Sequence, residues 1–422
     1  MSSSALGRDF RLLWSAAVSS RFGDALRTPA LALLAATVTR DPRVIAAVTV
    51  AGQLPPLLFG LLGGVYADRW DRRRTMALVD GLRAGVVAAL AVAIALDRAG
   101  VLTLLVAAFL LAALGTLFDS ASFALLPALV PPAALPRANG RLQVGTAVAG
   151  GFLGAPAAGV LFAVTPALPF TLDALTFAAA ALLVLALTPS PAPPTGSGAP
   201  RRPVWGEIVE GLRWLRGHQT LWRVTLLAAA SNLAISGLLA VLVLYALDVL
   251  RVPPAGYGLF AASAILGGIA GALGAGRLAA RLGTVSALRV VLAVQTVALA
   301  GFTVSRHPVP GGLALAVFAA GTVVWNSLSA SYGQQHVPAG LLGRVGAGQR
   351  MVGLLTAPVG AVLAGLIGAA YGTVPVAVAA AGTFALVTLA AWRTLRPAAP
   401  VPPTAAPTSG GTADRPAPHP SR

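Results

Sequence analysis

The sequence predicts an all-α membrane protein with twelve transmembrane helices in two pseudo-symmetric six-helix halves. Three observations carry this prediction. The chain of 422 residues is 57% hydrophobic and only 10% charged, whereas a soluble domain carries about 25% charged residues. Twelve apolar segments reach the length of about 20 residues that crosses a bilayer. A polar, proline-rich stretch, TPSPAPPTGSGAPRRP, separates the sixth segment from the seventh.

The apolar segments follow one another with short polar loops between them. In chain order, we expect helices near residues 11–38, 44–67, 75–96, 101–127, 138–163 and 167–187, and then near 222–247, 255–281, 285–305, 311–335, 349–371 and 374–396. The predicted domains are a first bundle over 1–187, a linker over 188–221, a second bundle over 222–396 and a tail over 397–422. The tail is rich in Pro, Ala, Thr and Ser, a composition typical of disorder.

The linker contains one further segment with an apolar face. Val204, Ile208, Leu212 and Leu215 recur at helical spacing, accompanied by arginines and tryptophans. We expect a short amphipathic helix on the cytoplasmic membrane interface. A plain solvated linker is the alternative.

The distribution of arginine predicts the orientation of the chain. All 30 basic residues are arginine, and with the N-terminus in the cytoplasm 20 of them fall in inside loops and helix ends, 5 outside, 3 within spans and 2 in the tail. Because cytoplasmic loops are enriched in positive charge, we expect both termini in the cytoplasm of a bacterial cell, with the chain crossing its inner (plasma) membrane many times.

Missing residue types exclude several functions. The chain has no lysine, so it has neither a Walker A loop nor a Schiff-base lysine, and it has no cysteine for a disulfide or thiolate metal site. Its four histidines, His218, His307, His336 and His419, are scattered. We expect no enzyme activity, no metal and no cofactor. The net charge of +17 is spread between apolar runs, so we expect a lipid bilayer rather than nucleic acid as its partner.

The two halves also share a weak internal repeat. The second span ends in GVYADRWDRR from Gly64, and the eighth ends in GRLAARLGTV from Gly276. Parallel repeats about an axis along the membrane normal are a known plan of transporters. Ala280 occupies the position of Asp68 in the second copy, which predicts one working copy of the motif.

GVYADRWDRR resembles the signature between the second and third spans of the major facilitator superfamily, G-x-x-x-D-[RK]-x-G-[RK]-[RK], with Asp71 where that pattern has glycine. RDFRLLWSAAVSSRFGDAL, RANGRLQVGTAVAGGFLGAPAAGVL and VPAGLLGRVGAGQRMV resemble the bacterial drug and siderophore exporter branch, which includes enterobactin-type and macrolide-type efflux proteins. The resemblance covers nearly the whole chain and implies the major facilitator fold.

The resemblance implies that the charged loop latches the two halves together. Asp68 is expected to accept hydrogen bonds at the N-terminus of the eleventh helix, and Arg72 to pair with Asp119. The expected latch residues are Gly64, Asp68, Arg69, Arg72, Arg73 and Asp119. Asp80 and Arg83 are expected to join this network. The alternative is a loop whose positive charge only fixes the topology.

The first span carries three charges at helical spacing. Arg21, Asp24 and Arg27 lie three residues apart and therefore share a face. Asp24 falls near the middle of the span, where a lone charge is most costly. We expect this face to point into a central cavity, with Asp24 in proton coupling or substrate contact; a permanently ionised structural pair is the alternative. Asp173, in LDALTF at the start of the sixth span, resembles a position of the family. It is interpreted as a helix cap, and a functional role is the alternative.

Polar residues at depth are candidates for substrate contact. The resemblance implies that the seventh and tenth helices face the cavity, which favours Asn232 and Asn326; hydrogen bonding between helices is the alternative for both and for Gln295. Trp14 and Trp325 are expected either to line a pocket for aromatic compounds or to pack at an interface.

The fifth span is rich in glycine. Gly150, Gly154, Pro156 and Gly159 resemble the antiporter signature G-x-x-x-G-P-x-x-G-G, although Ala155 separates Gly154 from Pro156. Because glycines allow close helix approach and proline bends a helix, we expect a kinked helix that rocks against the eighth span.

The resemblance implies a secondary transporter that exports a small hydrophobic molecule, drug or siderophore-like, by proton antiport through alternating access. The proton gradient is the expected energy source, and the expected partners are the substrate, protons and the lipid bilayer, with the chain acting as a monomer. An importer of the same fold and a membrane receptor or subunit without transport activity are the alternatives. The substrate and the role of Asp71 stay open.

Overall fold

The computed structural model describes residues 7–67, 72–131, 134–188, 204–338 and 341–395. The helices of the first half are α1 (Arg8–Val38), α2 (Pro42–Ala67), α3 (Arg72–Ala95), α4 (Val101–Leu129), α5 (Leu135–Ala147), α6 (Ala155–Val164) and α7 (Leu168–Leu185). After them come α8 (Val204–Gly217), α9 (Gln219–Leu244), α10 (Pro254–Leu282), α11 (Thr284–Val304), α12 (Pro308–His336), α13 (Leu342–Tyr371) and α14 (Thr373–Thr394).

These helices form the predicted twelve-span membrane fold. A π-helical segment, Val148–Gly154, joins α5 and α6 into one span, and a second, Tyr245–Val249, extends α9. Of the helical segments in the described ranges, ten are long and apolar enough to cross a membrane. With α1, which is made more polar by Arg21, Asp24 and Arg27, and with α2, they give the expected set of spans. The fold-class prediction is confirmed.

The two halves repeat the same packing. In the first half α2 packs on α4, α3 on α7 and α1 on the fifth span; in the second, α10 packs on α12, α11 on α14 and α9 on α13. These pairs occupy equivalent places in the order of spans. The internal repeat that was weak in the sequence is therefore clear in the helix packing.

Two helices depart from their predicted form. The fifth span was expected to kink at Pro156, but its irregularity is the π-helical turn that ends just before that proline; π-turns bend helices as prolines do. The helix α13 begins at Leu342 rather than near residue 349. Its early turns extend beyond the apolar span because Leu342 and Val345 pack against α8 and the start of α9.

The amphipathic helix α8 packs on the second half. Leu212 and Leu215 join an apolar cluster with Val345 of α13, and Arg344 donates to Glu210 across the same contact (Nη1–Oε1 2.9 Å). The apolar face predicted from the spacing is therefore covered by protein in part.

The two halves meet mainly through four helices, α2 against α13 and α6 against α10, with smaller contacts of α1 and α2 on α9 and of α1 on α10. The closest contacts lie near the N-terminal ends of α2 and α10, on the side of the bundle opposite the chain termini. A Cβ built on Gly159 of α6 would lie 2.6 Å from the carbonyl oxygen of Ala255, and one on Gly365 of α13 would lie 2.7 Å from Cβ of Ala46. Glycine is required at these positions because the backbones approach so closely.

An ion pair joins the halves on the same side. Arg40 Nη1 lies 2.9 Å from Asp248 Oδ1, and the two side chains are 63% and 55% exposed. A pair so exposed contributes little stability. The glycine contacts rather than this pair hold the halves together on the side opposite the termini.

Gly159→Leu should open this contact. Overpacking costs about 1–3 kcal/mol, so we expect the closed arrangement to lose population by about fivefold or more. The natural chain has no cysteine, and the yield of a short thiol crosslinker between Arg40→Cys and Asp248→Cys therefore measures the closed population directly. Gly301→Leu is the control, because nothing lies within 4 Å of a Cβ built there. Equal crosslinking in both variants would show that the α6–α10 contact does not set the arrangement.

Candidate functional site

A cavity of about 670 Å³ lies within the second half against α2. It extends from the termini-side ends of α9, α12 and α13 to about the middle of these helices. From the first half, only α2 contributes described lining residues, namely Gly52, Gln53 and Pro56. The volume falls in the range of about 300–1,000 Å³ found for small-molecule sites.

Three amides in this wall bind neighbouring helices. Asn232 donates to the carbonyl oxygen of Gly353 (2.8 Å) and to Thr356 (3.1 Å) on α13, and Gln295 donates to Thr322 on α12 (3.0 Å). Gln349 donates to Thr225 on α9 (2.9 Å). Asn232 and Gln295 thus form the hydrogen bonds between helices that were the alternative to a contact with substrate. Asn232 nonetheless lines the cavity. Because only its side-chain nitrogen is used in these bonds, its side-chain oxygen stays available to accept a hydrogen bond from a ligand.

Other polar groups in the wall have no protein partner. The side-chain oxygens of Gln53, Ser231 and Ser329 are buried without a hydrogen bond. Asn326 is exposed at the cavity. The arrangement offers hydrogen-bonding groups from both halves of the molecule around one space.

Aromatic side chains form the deep part of the cavity. Phe318 packs edge-on against Phe384 with ring centroids 5.1 Å apart, and Trp325 is 6% exposed. All three residues line the cavity. Trp14, by contrast, lies between α1 and α5, where its indole nitrogen donates to the carbonyl oxygen of Arg141 (3.0 Å).

A second polar site, which we call the ionic network, is buried in the first half between α1, α3 and α7. It consists of Asp24, Arg27, Asp80, Arg83 and Asp173. Arg27 pairs with Asp24 and with Asp173 (Nε–Oδ2 3.0 Å). Arg83 pairs with Asp24 (Nη2–Oδ1 2.7 Å) and Asp80 (Nη1–Oδ1 3.3 Å). Asp24 is thus the shared acceptor of two guanidinium groups.

The ionic network leaves two acceptors and one donor without partners. Oδ2 of Asp80, Oδ1 of Asp173 and Nε of Arg83 are buried without a hydrogen-bond partner, and both carboxylates are completely inaccessible. Arg83 also donates to Ser20 (3.2 Å) and lies 3.9 Å from the ring centroid of Phe177. Three carboxylates pair with two guanidinium groups inside the network, and the exposed guanidinium group of Arg21 also attracts Asp24 from outside it. Among the buried groups alone, full ionisation leaves one surplus negative charge.

The predicted direction of the charged face of α1 is wrong. Asp24 and Arg27 were expected to point into the central cavity, but they point towards α3 and α7 inside the first half. Arg21 was expected to neutralise Asp24 from the same face. It is exposed instead and lies beside Gly150 of the fifth span, while Arg83 of α3 occupies the expected place. Asp24 and Arg27 meet side chains of opposite charge on α3 and α7 inside the first half. The described cavity wall has no such set of charges.

Two further interpretations are corrected by this network. Asp173 is not a helix cap, because α7 begins at Leu168 and Asp173 pairs with Arg27 within the helix. Asp80 and Arg83 were expected to join the latch, but they pair with each other and with Asp24. Their three-residue spacing was visible in the sequence. Nothing in the sequence indicated that Arg83 would reach α1.

The latch itself falls largely outside the described part of the chain. Asp68, Arg69 and Asp71 lie outside the described residues, as do the side chains of Arg72 and Asp119 and the surroundings of Gly64. Arg73 donates to the carbonyl oxygens of Val184 (3.4 Å) and Leu185 at the end of α7. The latch therefore stays a prediction.

The glycines of the fifth span contact two different helices. Gly150 and Gly154 lie against α1, where a Cβ on Gly154 would lie 3.0 Å from the carbonyl oxygen of Phe22. Gly159 lies against α10, and Pro156 occupies the first turn of α6. The contact with the eighth span thus runs from Gly151, which lies against Ile265 of α10, to Gly159 beyond the proline.

The chain belongs to the Major Facilitator Superfamily, whose family profile matches residues 13–355. No curated protein sequence matches the chain. It is thus a multi-pass membrane transporter of this family.

Solved structures with the same fold include transporters of very different substrates. A bacterial homologue of the iron transporter ferroportin in its inward-facing state has a TM-score of 0.73 at 16% identity and covers 92% of this chain and 99% of its own. A variant of the nucleoside transporter NupG has a TM-score of 0.74 at 13% identity, over 91% and 100%. The ferroportin homologue in its outward-facing state has a TM-score of only 0.56 at 17% identity, and the match covers 92% of this chain and 99% of its own.

Gly23→Ala should weaken the first half. A Cβ on Gly23 of α1 would overlap the hydroxyl of Thr176 and the carboxylate of Asp173 on α7. We expect a loss of about 1–3 kcal/mol of unfolding free energy from overpacking, measured by thermal unfolding in detergent. Gly81→Ala on α3, where nothing lies within 4 Å, should be neutral or stabilising because alanine favours the helix. A neutral Gly23→Ala would mean that α1 and α7 are not held at this distance.

Proposed function

We propose that this transporter exports a small hydrophobic molecule by proton antiport through alternating access. The proposal includes cytoplasmic termini and a bacterial inner-membrane location, since the excess of arginine on the termini side favours that orientation. The ionic network of the first half is the observation that carries the coupling part of the proposal. The protein is proposed to act as a monomer, with the proton gradient as its energy source and no cofactor.

The ionic network supports proton coupling through its charge count. A surplus negative charge buried among helices is costly, and uptake of one proton removes it. Asp24 accepts from both Arg27 and Arg83, which makes it the poorest proton acceptor of the three carboxylates. Asp80 and Asp173 each have one unpaired buried oxygen. The proton belongs to the coupled group, and these two oxygens are its places of attachment.

Alternating access is supported by the one-sided contact between the halves. The close glycine contacts and the Arg40–Asp248 pair lie opposite the termini, and the cavity extends to the termini side. A rocking motion would separate α6 from α10 and α2 from α13. The predicted latch of Asp68 and Arg72 would then close the other side.

The direction of transport rests on the fifth span. Its sequence resembles the antiporter signature, and its glycines lie between α1 and α10, so that it contacts both halves. Import and a receptor role are the alternatives that the following experiment separates.

Expression of the protein in bacteria should lower the accumulation of N-phenylnaphthylamine, an uncharged fluorescent hydrophobic probe. A protonophore should abolish the difference, because export would depend on the proton gradient. Cells with equal amounts of Gly159→Leu serve as the control, since this variant should not cycle. Higher accumulation would indicate import, and an unchanged level over a panel of uncharged and charged hydrophobic probes would favour a receptor.

Asp173→Asn should uncouple transport from the proton gradient. The substitution balances two carboxylates against two guanidinium groups and leaves Asp24 in place, so the protein should keep its thermal stability. In proteoliposomes, we expect substrate exchange near the wild-type rate and at least a tenfold loss of accumulation driven by a pH gradient. Asp24→Asn should lose both substrate exchange and gradient-driven accumulation. It removes the shared partner of Arg27 and Arg83 and so leaves buried charges unpaired.

Asp97→Asn provides the matched control, since Asp97 lies in the loop after α3 and is exposed. It should behave as the wild type. Wild-type gradient dependence in Asp173→Asn would remove this carboxylate from the coupling mechanism. Uncoupled exchange by a stable Asp24→Asn would assign the proton to Asp24 instead.

A further inference from the structure

From the chemistry of its walls, we infer that the cavity of the second half binds an uncharged aromatic compound bearing hydroxyl or amide groups, and that it rejects lipophilic cations. The inference rests on the proposed function only in treating this ligand as the transported molecule. It restricts the proposed substrate from any small hydrophobic compound to uncharged ones.

The charge of the lining excludes a cation. No carboxylate lines the described cavity, and its one charged lining residue, Arg350, is at the termini-side end. The carboxylates of the ionic network belong to α1, α3 and α7, none of which contributes to the cavity wall. An ammonium group would enter past a guanidinium group and find no counter-ion. The attraction of Trp325 for a cation is weaker than the cost of desolvating an unpaired one.

The unpaired polar atoms of the wall predict what the ligand must offer. The oxygen of Gln53 is an acceptor only, so its partner must be an N–H or O–H group. The hydroxyls of Ser231 and Ser329 also have no partner. Buried polar groups are normally hydrogen-bonded. The three residues line one cavity, but their oxygens are covered by protein, so a small rotation of each side chain brings its oxygen to a ligand. A purely hydrocarbon ligand would leave all three unsatisfied.

The apolar part of the wall predicts a flat ring. Phe318, Phe384 and Trp325 line the deep end of the cavity, and apolar surface predominates in the lining. Aromatic side chains pack favourably against ligand rings in offset or edge-on geometry. A ring between these residues would place its substituents towards the serines and Gln53.

Gln53 gives the ligand a contact with both halves. It lies on α2, whereas Ser231 and Ser329 lie on α9 and α12 of the second half. A ligand that bridges them changes its interaction when the halves rock. Only such a difference between states lets a ligand shift a conformational equilibrium.

The test is a binding assay on the full-length protein in lipid nanodiscs, without any gradient. Energy transfer from tryptophan to a dansyl group reports binding of dansylamide, which is uncharged, and of dansylcadaverine, which is cationic at neutral pH. We expect saturable binding of dansylamide that unlabelled naphthalenesulfonamide displaces, and at least tenfold weaker binding of dansylcadaverine. Trp325→Phe should lower the transferred signal, which places the probe in the cavity.

Variants of Gln53 test the proposed chemistry. Gln53→Leu should weaken the binding of dansylamide about three- to tenfold, because one hydrogen bond to the ligand is lost. Gln53→Glu introduces the missing carboxylate and should shift the preference towards dansylcadaverine by about tenfold. The control is Thr383→Val on α14, where an exposed hydroxyl bonds only within its own helix; it should change nothing.

Two results would overturn the inference. One is wild-type binding of dansylcadaverine as tight as that of dansylamide, and the other is a preference that neither Gln53 variant alters. Because no transport or gradient enters the assay, these results are distinguishable from a failure of the exporter proposal, which would leave the binding preference intact.

Discussion

The pairing of buried charge between α1, α3 and α7 is the constraint on which the first half of this protein depends. A bilayer supplies no water to compensate an unpaired ion. Arg27 and Arg83 therefore fix the distances between the three helices. The close approach of α1 to α7 at Gly23 follows from the same requirement, because the Arg27–Asp173 contact needs both backbones near each other. Removing Asp24, Arg27 or Arg83 would leave buried charges of the network unpaired.

The two halves share their helix packing but differ in chemistry. Among the described residues, no charged side chain of the second half is fully buried. In its place the second half has amides that join helices, such as Asn232 and Gln349, and the cavity itself. The same helix packing thus carries a buried ionic network in the first half and a cavity in the second. The helix α2 connects these roles, since it contributes Gln53 to the cavity while it belongs to the half that holds the network.

The sequence was sufficient for the fold because the length and hydropathy of a span are local properties, and both could be read for all twelve spans. It was also sufficient to identify Asp24 as a buried charge, since its depth follows from its position in the span. Its partners could not be predicted. Arg83 and Asp173 lie far from it along the chain, and their contact depends on which face of α1 meets α3 and α7. Gln53 carried the same signal as Asn232, a single amide in an apolar span, but nothing in the sequence indicated that α2 would line the cavity.

The location of the ionic network restricts how it could drive transport. All three of its helices belong to one half, so rocking of the halves as rigid bodies leaves its internal distances unchanged. Coupling would therefore not require the ion pairs to break. What rocking would change is access to the surface of α1, because α1 contacts α9 and α10 of the second half. Asp24 and Arg27 are 20% and 13% exposed, whereas Asp80 and Asp173 are sealed. A proton would thus enter at the α1 edge and move along the network to the unpaired oxygens behind it.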